Sequence, residues 1–235
     1  MTQLFFSEYD APETAPPLVI FGAGGFGREV LLLLRQLNEV QPTWTLRGFF
    51  DDQPPASTAI GGLPYLGTAA DLNATAEPLA VAVAVGSPAA RAGVVARLSS
   101  PQLSFPTIVH PGVVLQPYQN IALGEGTIIQ QGVMLTTDVR IGRFVVLNLG
   151  TTVGHNAVVE DFCSLMCHVD ISGAVHVETG CYLGTKTTII QGRRLGAHST
   201  LGAGAVAVRD LPAGVTAAGV PARILPPKGE TYERR

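Results

Sequence analysis

The hydrophobic positions in the second half of the chain recur at a fixed interval of six residues. The series consists of Leu123, Ile129, Leu135, Ile141, Leu147, Val153, Val159, Leu165, Ile171, Val177, Leu183, Ile189, Leu195 and Leu201. An amphipathic helix has a period near 3.6 and a half-buried strand a period of 2, so neither structure explains this interval. A fixed short repeat is typical of a β-solenoid, in which each repeat contributes a short strand and a tight turn.

A second series defines the interior of the predicted coil. The residue four positions after each member is small or β-branched, except for Arg193, where we expect a local bulge. The second series consists of Thr127, Val133, Val139, Val145, Thr151, Ala157, Cys163, Val169, Val175, Cys181, Thr187, Ser199 and Ala205. A triangular prism with three repeats per coil would bury both series, and its height would be roughly 22 Å. Residues 206–223 depart from the period, so we expect them to leave the prism.

The first part of the chain has a different rhythm. The predicted elements are strands at 18–21, 45–50 and 79–85, a glycine-rich turn at 22–27 and helices over 28–37 and 89–98. This order is a βαβ plan with a parallel sheet. The predicted fold class is therefore a Rossmann-like α/β module followed by a parallel β-helix of hexapeptide repeats. The predicted divisions are a flexible lead-in at 1–16, the α/β module at 17–103, the β-helix with a C-terminal extension at 104–225 and a tail at 226–235.

Composition argues against several classes of partner. Of the 235 residues, 46% are hydrophobic and 14% are charged, and the net charge is −3. Without a basic block, nucleic acid and anionic membranes have no electrostatic reason to bind. No apolar stretch approaches the ~18 residues of a membrane span, and residues 1–16 do not resemble a secretory signal, which predicts a cytoplasmic protein. The flat walls of the prism need covering, so we expect a homotrimer.

His155 is the main candidate for a catalytic residue. It follows the inward-facing Val153 by two positions, which places it at a turn rather than in the core. An amine or hydroxyl must lose a proton when it attacks a carbonyl, and histidine suits this task near neutral pH. Gly173 lies one coil above His155, where its N–H could stabilise an oxyanion. The simpler alternatives are a surface histidine that caps a turn and an ordinary turn glycine.

The glycine-rich turn 22–27 is a candidate phosphate-binding site. It has the spacing G-x-G-x-x-G between a strand and a helix, where backbone N–H groups point at a bound phosphate. A full dinucleotide fold needs two such halves, so this module suits a nucleotide sugar better than NAD. Asp51 and Asp52 follow the second strand and could bind a base or ribose, and Gly86 ends the third strand. All of these could also be ordinary turn residues.

The repeats and two C-terminal motifs resemble the left-handed β-helix acyltransferases. The motifs are Gly202-Ala-Gly204-Ala205-Val and Gly219-Val-Pro221-Ala-Arg223. With the N-terminal module, the chain is similar to bacterial sugar acetyltransferases of the sialic acid O-acetyltransferase type, which include N-acetyltransferases of nucleotide-linked 4-amino sugars. The resemblance implies a left-handed coil, against the general preference for right-handed crossovers. It also implies acetyl-CoA as co-substrate and active sites between the subunits of a trimer.

The resemblance implies catalytic roles for three residues. His155 would be the general base and Gly173 the oxyanion donor, while Asn156 occupies the position where relatives carry Asp or Glu. An amide can orient the imidazole but supplies no charge to stabilise imidazolium. Glu160 or Asp161 could substitute for the missing acid, or the amine could arrive already deprotonated. Asn156→Asp is therefore expected to shift the pH–rate profile.

The resemblance also implies two sets of ligand contacts. The implied acetyl-CoA contacts are Ser164, Gly173, Thr185 and Ala203, with Lys186, Arg193, Arg194, Arg209 and Arg223 available for the phosphates. The implied nucleotide-sugar contacts are Gly24, Gly25, Phe26, Asp51, Asp52, Gly86 and Asn148, of which Asn148 is expected to be exposed. No residue distinguishes uridine, guanosine and thymidine.

The favoured function is acetyl-CoA-dependent N-acetylation of a nucleotide-linked amino sugar for surface glycan or lipopolysaccharide synthesis, and the expected amino sugar is a 4-amino-deoxy sugar. The alternatives are O-acetylation of a sialic acid or similar free sugar and a non-catalytic repeat protein. A γ-type carbonic anhydrase uses the same prism with three zinc-bound histidines, but spacings of 13, 8 and 22 from His155 to His198 do not bring three together. We therefore expect no metal, and we expect Cys163 and Cys181 to be buried thiols.

Overall fold

The computed structural model describes residues 15–226 and divides them into two compact units. The first unit contains residues 15–84 and Arg97–Phe105, and the second contains Val85–Ala96 and residues 106–226. The segment Val85–Ala96 thus packs with the second half of the chain. A single boundary along the sequence therefore cannot separate the two units. The divisions at 17–103 and 104–225 stay a prediction, and most of the predicted lead-in and tail lies outside the described residues.

The first unit is built on a six-stranded sheet. Its elements are β1 (Pro17–Phe21), α1 (Gly25–Val40), β2 (Thr45–Phe50), β3 (Ala59–Ile60), β4 (Leu63–Gly67), α2 (Ala69–Asn73), β5 (Leu79–Val83) and β6 (Leu103–Ser104). The strand order is β3-β4-β2-β1-β5-β6, and all neighbours pair in parallel except β3 with β4. Leu18–Phe21 is a continuous buried run, as expected for a parallel strand covered on both faces.

The second unit contains α3 (Pro88–Arg97, of which Arg97 belongs to the first unit) and a coil of very short strands. The coil consists of β7 (Ile108–Val109), a 3₁₀ turn (Pro117–Gln119), β8 (Ala122–Leu123), β9 (Ile128–Ile129), β10 (Met134–Leu135), β11 (Arg140–Ile141), β12 (Val146–Leu147), β13 (Thr152–Val153), β14 (Val158–Val159), β15 (Ser164–Leu165), β16 (Asp170–Ile171), β17 (His176–Val177), β18 (Tyr182–Leu183), β19 (Thr188–Ile189), β20 (Arg194–Leu195), β21 (Thr200–Leu201), β22 (Val206–Ala207), β23 (Thr216–Ala218) and β24 (Arg223–Ile224).

These strands form the three walls of the coil. Sheet I has the order β10-β13-β16-β19-β22, sheet II the order β20-β17-β14-β11-β8, and sheet III the order β24-β23-β21-β18-β15-β12-β9-β7. Within the regular coils, strands in register lie eighteen residues apart, as in Met134↔Thr152 and Thr152↔Asp170. This is the spacing that three hexads per coil predict.

Each coil turns three corners, and we name them by their residues. The histidine corner, between sheets I and II, contains Thr137, His155, Gly173 and Gln191. The acidic corner, between sheets II and III, contains Arg143, Asp161, Thr179 and Ala197. The third corner, between sheets III and I, contains Leu149, Cys167, Thr185 and Ala203.

The interior of the coil contains both predicted series. Except for Leu123 at the lower end, which is half-buried, every member of the six-residue series is buried, and so is every member of the second series. Cys163 and Cys181 are free, fully buried thiols, and burial raises the pKa of Cys163. The close packing of branched and small side chains therefore accounts for the strict period.

Two expectations about the coil are wrong. Arg193 causes no bulge, because its carbonyl oxygen accepts the regular hydrogen bond from His176 N at 2.9 Å and Val177 still pairs with Leu195. Its side chain instead leaves the interior and lies 3.8 Å from Asp210. Residues 206–223 also mostly stay in the prism, since β22 and β23 continue sheets I and III and Ala217 is fully buried.

Candidate active site

His155 is presented on the histidine corner by a left-handed turn. Val153 is buried two residues before it, and Asn156 follows with φ 58°, a conformation that asparagine tolerates well. The imidazole is exposed, and its Nδ1 lies 2.9 Å from Oδ1 of Asn156. The amide oxygen can only accept, so Nδ1 carries the proton and Nε2 has a free lone pair. The ring is thus oriented as a base.

Gly173 lies against the Nε2 side of the same ring. A Cβ built on Gly173 would lie under 3.0 Å from Nε2 of His155, so only glycine leaves the ring in place. The carbonyl oxygen of Gly173 accepts a hydrogen bond from Gly192 N at 3.0 Å. Its N–H has no acceptor among the described residues. The structure therefore brings the predicted base and the predicted oxyanion donor together on one corner.

The acidic corner differs from the histidine corner in what its turn N–H groups contact. Glu160 Oε2 accepts from Thr179 N at 3.0 Å, and Glu178 Oε2 accepts from Ala197 N at 2.7 Å. Carboxylates therefore occupy the turn N–H groups there. Each of these carboxylates stands nineteen residues before the N–H that it accepts; the residue nineteen positions before Gly173 is Gly154, which has no side chain to accept a hydrogen bond.

Neither alternative acid compensates for Asn156. The carboxylate of Glu160 lies 2.7 Å from Nε2 of His176 and also accepts from Thr179 N. Asp161 Oδ1 accepts from Arg143 N at 2.7 Å. Both carboxylates are engaged around the acidic corner, so Asn156 is the partner of His155 that the structure records.

The predicted acetyl-CoA contacts fall on different surfaces of the coil. Thr185 and Ala203 are exposed on the third corner, one coil apart, away from the histidine corner of the same chain. Ser164 does not line an open groove as expected. It is fully buried, and its hydroxyl donates to Gly86 O at 2.7 Å and accepts from Arg91 at 2.9 Å. Its strand position faces α3 within the second unit, and α3 covers it.

The glycines of the first-unit turn have two different roles. A Cβ on Gly22 would lie 2.5 Å from Ala84 O, and one on Gly27 would lie under 3.0 Å from Gly22 O, so these two glycines allow close packing. Gly24 has nothing within 4 Å of its Cβ position, and Gly25 has only an Arg28 side-chain atom at 3.9 Å. Gly24 and Gly25 are therefore accessible to a ligand, which their predicted role in binding a nucleotide sugar requires. Phe26 beside them is half-buried.

The acidic pair after β2 is used within the first unit. Asp51 accepts from Ala23 N at 2.8 Å and from Gln53 N at 2.9 Å. Asp52 accepts from Ala69 N at 3.1 Å and pairs with Arg97 at 2.6 Å. The Ala69 N–H, helped by Arg97, lowers the pKa of Asp52. Asp51 therefore shapes the glycine-rich turn, and any ligand would share these oxygens with the protein.

Gly86 and Asn148 lie in the second unit. Asn148 is buried rather than exposed, with 6% relative accessibility, and its Oδ1 accepts from Leu149 N at 2.7 Å. The expectation of an exposed position is wrong because the side chain folds back to cap its own corner. Gly86 has nothing within 4 Å of its Cβ position, so it remains open on that side.

Sequence reasoning missed a cavity of about 540 Å³ in the second unit and the arginine behind it. The cavity is lined by Gly86, Ser87, Pro88, Ala89, Met166, Gly180, Tyr182, His198 and Thr200. Arg91, on the next turn of α3, is completely buried. The available signal was an arginine in the middle of α3, whose other residues as far as Ala96 are small or apolar.

Two features of residues 15–226 concern metal binding and membrane insertion. In that range, no three His, Cys, Asp or Glu side chains are close enough to hold a metal ion. The helices described there are all too short or too polar to cross a lipid bilayer.

Known proteins resemble this chain over nearly its whole length. A family model described as the PglD N-terminal domain matches residues 17–98. The GDP-perosamine N-acetyltransferase of Escherichia coli O157:H7 is 31% identical over 209 residues, which span 87% of this chain and 94% of that enzyme. PerB from Caulobacter crescentus, solved in complex with CoA and GDP-perosamine, has a TM-score of 0.81 and 32% identity over 89% of this chain and 97% of PerB. The acetyltransferase domain of PglB from Neisseria gonorrhoeae FA1090, solved with acetyl coenzyme A, has a TM-score of 0.80 and 26% identity over 90% and 100% of the two chains.

The chain belongs to the hexapeptide-repeat sugar N-acetyltransferases. The likeness includes the α/β module as well as the repeats, so it confirms the family that the motifs predict. It also confirms the fold class, an α/β module followed by a left-handed β-helix, and the class of enzyme, an acetyl-CoA-dependent sugar acetyltransferase.

Proposed function

We propose that this protein transfers the acetyl group of acetyl-CoA to the amine of a nucleotide-linked amino sugar. The observation that carries the proposal is the likeness, along both units, to PerB in complex with CoA and GDP-perosamine. GDP-perosamine is accordingly the first acceptor to test, with other nucleotide-linked 4-amino-deoxy sugars as the wider class. The acetylated product would supply surface glycan or lipopolysaccharide synthesis.

His155 acts as the general base in this scheme. Nε2 removes a proton from the sugar amine as the nitrogen attacks the thioester carbonyl, while Nδ1–H donates to Asn156. The N–C bond forms, the negative charge gathers on the carbonyl oxygen, and the free N–H of Gly173 donates to that oxygen. Collapse breaks the C–S bond, and the CoA thiolate leaves and takes up the proton.

The site is completed by a neighbouring subunit of a homotrimer. His155 and Gly173 lie on the histidine corner, whereas Thr185 and Ala203 lie on the third corner of the same chain. An acetyl-CoA molecule that contacts both sets would bridge the corners of two adjacent coils. A closed threefold arrangement would form three equivalent sites of this kind.

The candidate cations for the CoA phosphates are not equivalent. Arg193 lies 3.8 Å from Asp210, and Arg194 is paired with Glu178. Arg209 is exposed and lies one coil above Gln191, so it continues the histidine corner. It is three coils above His155, which is about 14 Å at ~4.8 Å per coil. An extended pantetheine arm has about the same reach. An extended chain rises by ~3.6 Å for every three bonds, and about twelve bonds separate the thiol from the phosphate. We therefore favour Arg209, with Lys186 and Arg223, as phosphate ligands.

We place the reaction in the cytoplasm, where acetyl-CoA and nucleotide sugars are made.

The direct test is turnover with a panel of GDP-, UDP- and dTDP-linked amino sugars, followed by release of the CoA thiol. One sugar is expected to support turnover, and His155→Ala is expected to lower kcat by about 10²–10⁴-fold. Turnover that survives His155→Ala would assign proton removal to another group. Acetyl-CoA binding without turnover on any amino sugar, together with acetylation of a free sialic acid, would replace N-acetylation by O-acetylation.

A further inference from the structure

Arg91 is a buried cation for which the catalytic scheme has no role. Its guanidinium is completely buried in the second unit. Nε donates to Phe144 O at 2.8 Å, and Nη2 donates to Phe162 O at 2.9 Å and Cys163 O at 3.0 Å. Within residues 15–226 no carboxylate pairs with it. Burial lowers the pKa of Arg91 to about 10, so the group still carries its charge at neutral pH.

The other donors of Arg91 hold the loop between β5 and α3. Nη1 donates to Val85 O at 2.5 Å and to Gly86 O at 3.4 Å. Nη2 also donates to Ser164 Oγ at 2.9 Å, and that hydroxyl donates to Gly86 O at 2.7 Å. Two loop carbonyls are thus tied to the coil through one guanidinium and one hydroxyl. A forked guanidinium can bridge both sides at once, whereas a lysine ammonium is a single point donor.

The anchored loop forms one wall of the cavity of about 540 Å³. Gly86 and Ser87 lie on this wall, and Tyr182, His198 and Thr200 of the coil lie on the opposite wall. The loop residue Gly86 is open on its Cα side, with nothing within 4 Å of its Cβ position. The hydrogen bonds of Arg91 and Ser164 therefore set the position of the loop wall relative to the coil wall.

We propose that Arg91 is a positioning residue for the acceptor: with Ser164, it holds Gly86 and Ser87 where they receive the nucleotide sugar. The proposal rests on the proposed function, through the role of Gly86 in binding that sugar. Arg91 itself does not touch the substrate. This role accounts for a charged residue on the buried face of α3 and for a serine, rather than an apolar residue, at the buried position 164.

Arg91→Lys is the sharpest test because it keeps the charge and removes the fork. We expect the KM for the nucleotide sugar to rise about 10-fold, with kcat and the KM for acetyl-CoA within about 2-fold of wild type. Amide hydrogen exchange at residues 85–90 is expected to become faster. The control is Val145→Ala, which leaves a cavity in the core of the same coil and lowers stability. It is expected to change neither KM.

Each outcome decides the proposal. An unchanged KM for the sugar, or equal rises in both KM values, would overturn it. If Arg91→Lys does not fold, Ser164→Ala takes its place, because it removes the link to Gly86 O and leaves Phe162 and Cys163 as acceptors for Arg91. Its KM for the sugar is expected to rise about 3-fold, and an unchanged value would overturn the proposal. If the wild-type protein turns over no amino sugar, the proposed function is refuted instead. Even then, unchanged amide hydrogen exchange at residues 85–90 in Arg91→Lys would refute the claim that Arg91 anchors this loop.

Discussion

At the scale of single residues, a methyl group on Gly173 would act directly on the imidazole of His155. Its Cβ would lie under 3.0 Å from Nε2, so the ring must move away from the position that the acceptor amine would approach. Gly173→Ala is therefore expected to lower kcat by about 100-fold, a loss similar to that of an oxyanion donor. Steady-state kinetics and a thermal melt separate this loss from unfolding.

Gly93→Ala is the control for that substitution. Gly93 lies in α3 and has nothing within 4 Å of its Cβ position, so alanine should fit and should stabilise the helix by about 0.5–1 kcal/mol. Wild-type kcat in Gly173→Ala would show that the ring against Gly173 is not the catalytic base.

Asn156→Asp tests the missing charge beside His155. The carboxylate would accept from Nδ1 at the present distance of 2.9 Å and would stabilise the imidazolium form. The unprotonated base would then appear only at higher pH, so the acid limb of the kcat profile should move up by about one pH unit. The measurement is kcat against pH at saturating substrates. A profile identical to that of wild type would exclude a tuning role for this position.

Some residue positions follow from the repeat and others do not. The eighteen-residue spacing places Gly173 over His155, and the structure has them in contact. The same spacing says nothing about Ser164, which is covered by α3, or about Asn148, which caps its own corner. Those contacts depend on a segment distant in sequence and on a side-chain rotamer, and neither has a periodic signature.

At the scale of elements, two threonines of the second inward series make a matched pair. Thr127 Oγ1 donates to Gly142 O at 2.8 Å and accepts from Val145 N at 3.1 Å. Thr187 Oγ1 is buried, and no described group bonds to it. Thr127→Val should lower the free energy of unfolding by about 1–2 kcal/mol because it leaves two backbone groups unpaired, whereas Thr187→Val should raise it by about 1 kcal/mol.

Denaturant unfolding of the two variants measures both changes. A loss of stability in Thr187→Val equal to that in Thr127→Val would mean that the Thr187 hydroxyl has a partner after all. The two variants also test whether a polar atom inside the coil stabilises the fold only when a backbone group of the next coil forms a hydrogen bond with it.

The hexad period predicts two-residue strands because each repeat must bury the same two side chains in a narrow core. The α/β module is less regular. Its first strand, its glycine-rich turn and its first helix are predicted, but β3, β4 and α2 are not, because residues 51–79 show no clear period. The assignment of Val85–Ala96 to the second unit depends on Arg91 and could not be read from hydrophobic spacing.

At the scale of the whole molecule, a site shared between subunits can be tested by mixing inactive variants. His155→Ala removes the base, and Ala203→Trp should block acetyl-CoA on the third corner. Random mixed homotrimers would contain about a quarter of their sites with both corners intact. Activity in the mixture, after dissociation and reassembly, should recover to about that fraction. A mixture with no activity, or a monomer by sedimentation, would contradict the shared site.

The most direct measurement of the central claim is the structure of the product formed from acetyl-CoA and GDP-perosamine. We predict one acetamide per CoA thiol released, located by NMR on the sugar nitrogen, and no reaction with the matching nucleotide sugar that carries a hydroxyl in place of the amine. Acetylation of that hydroxyl at a comparable rate, or a free sugar accepted in preference to the nucleotide-linked amine, would contradict the account.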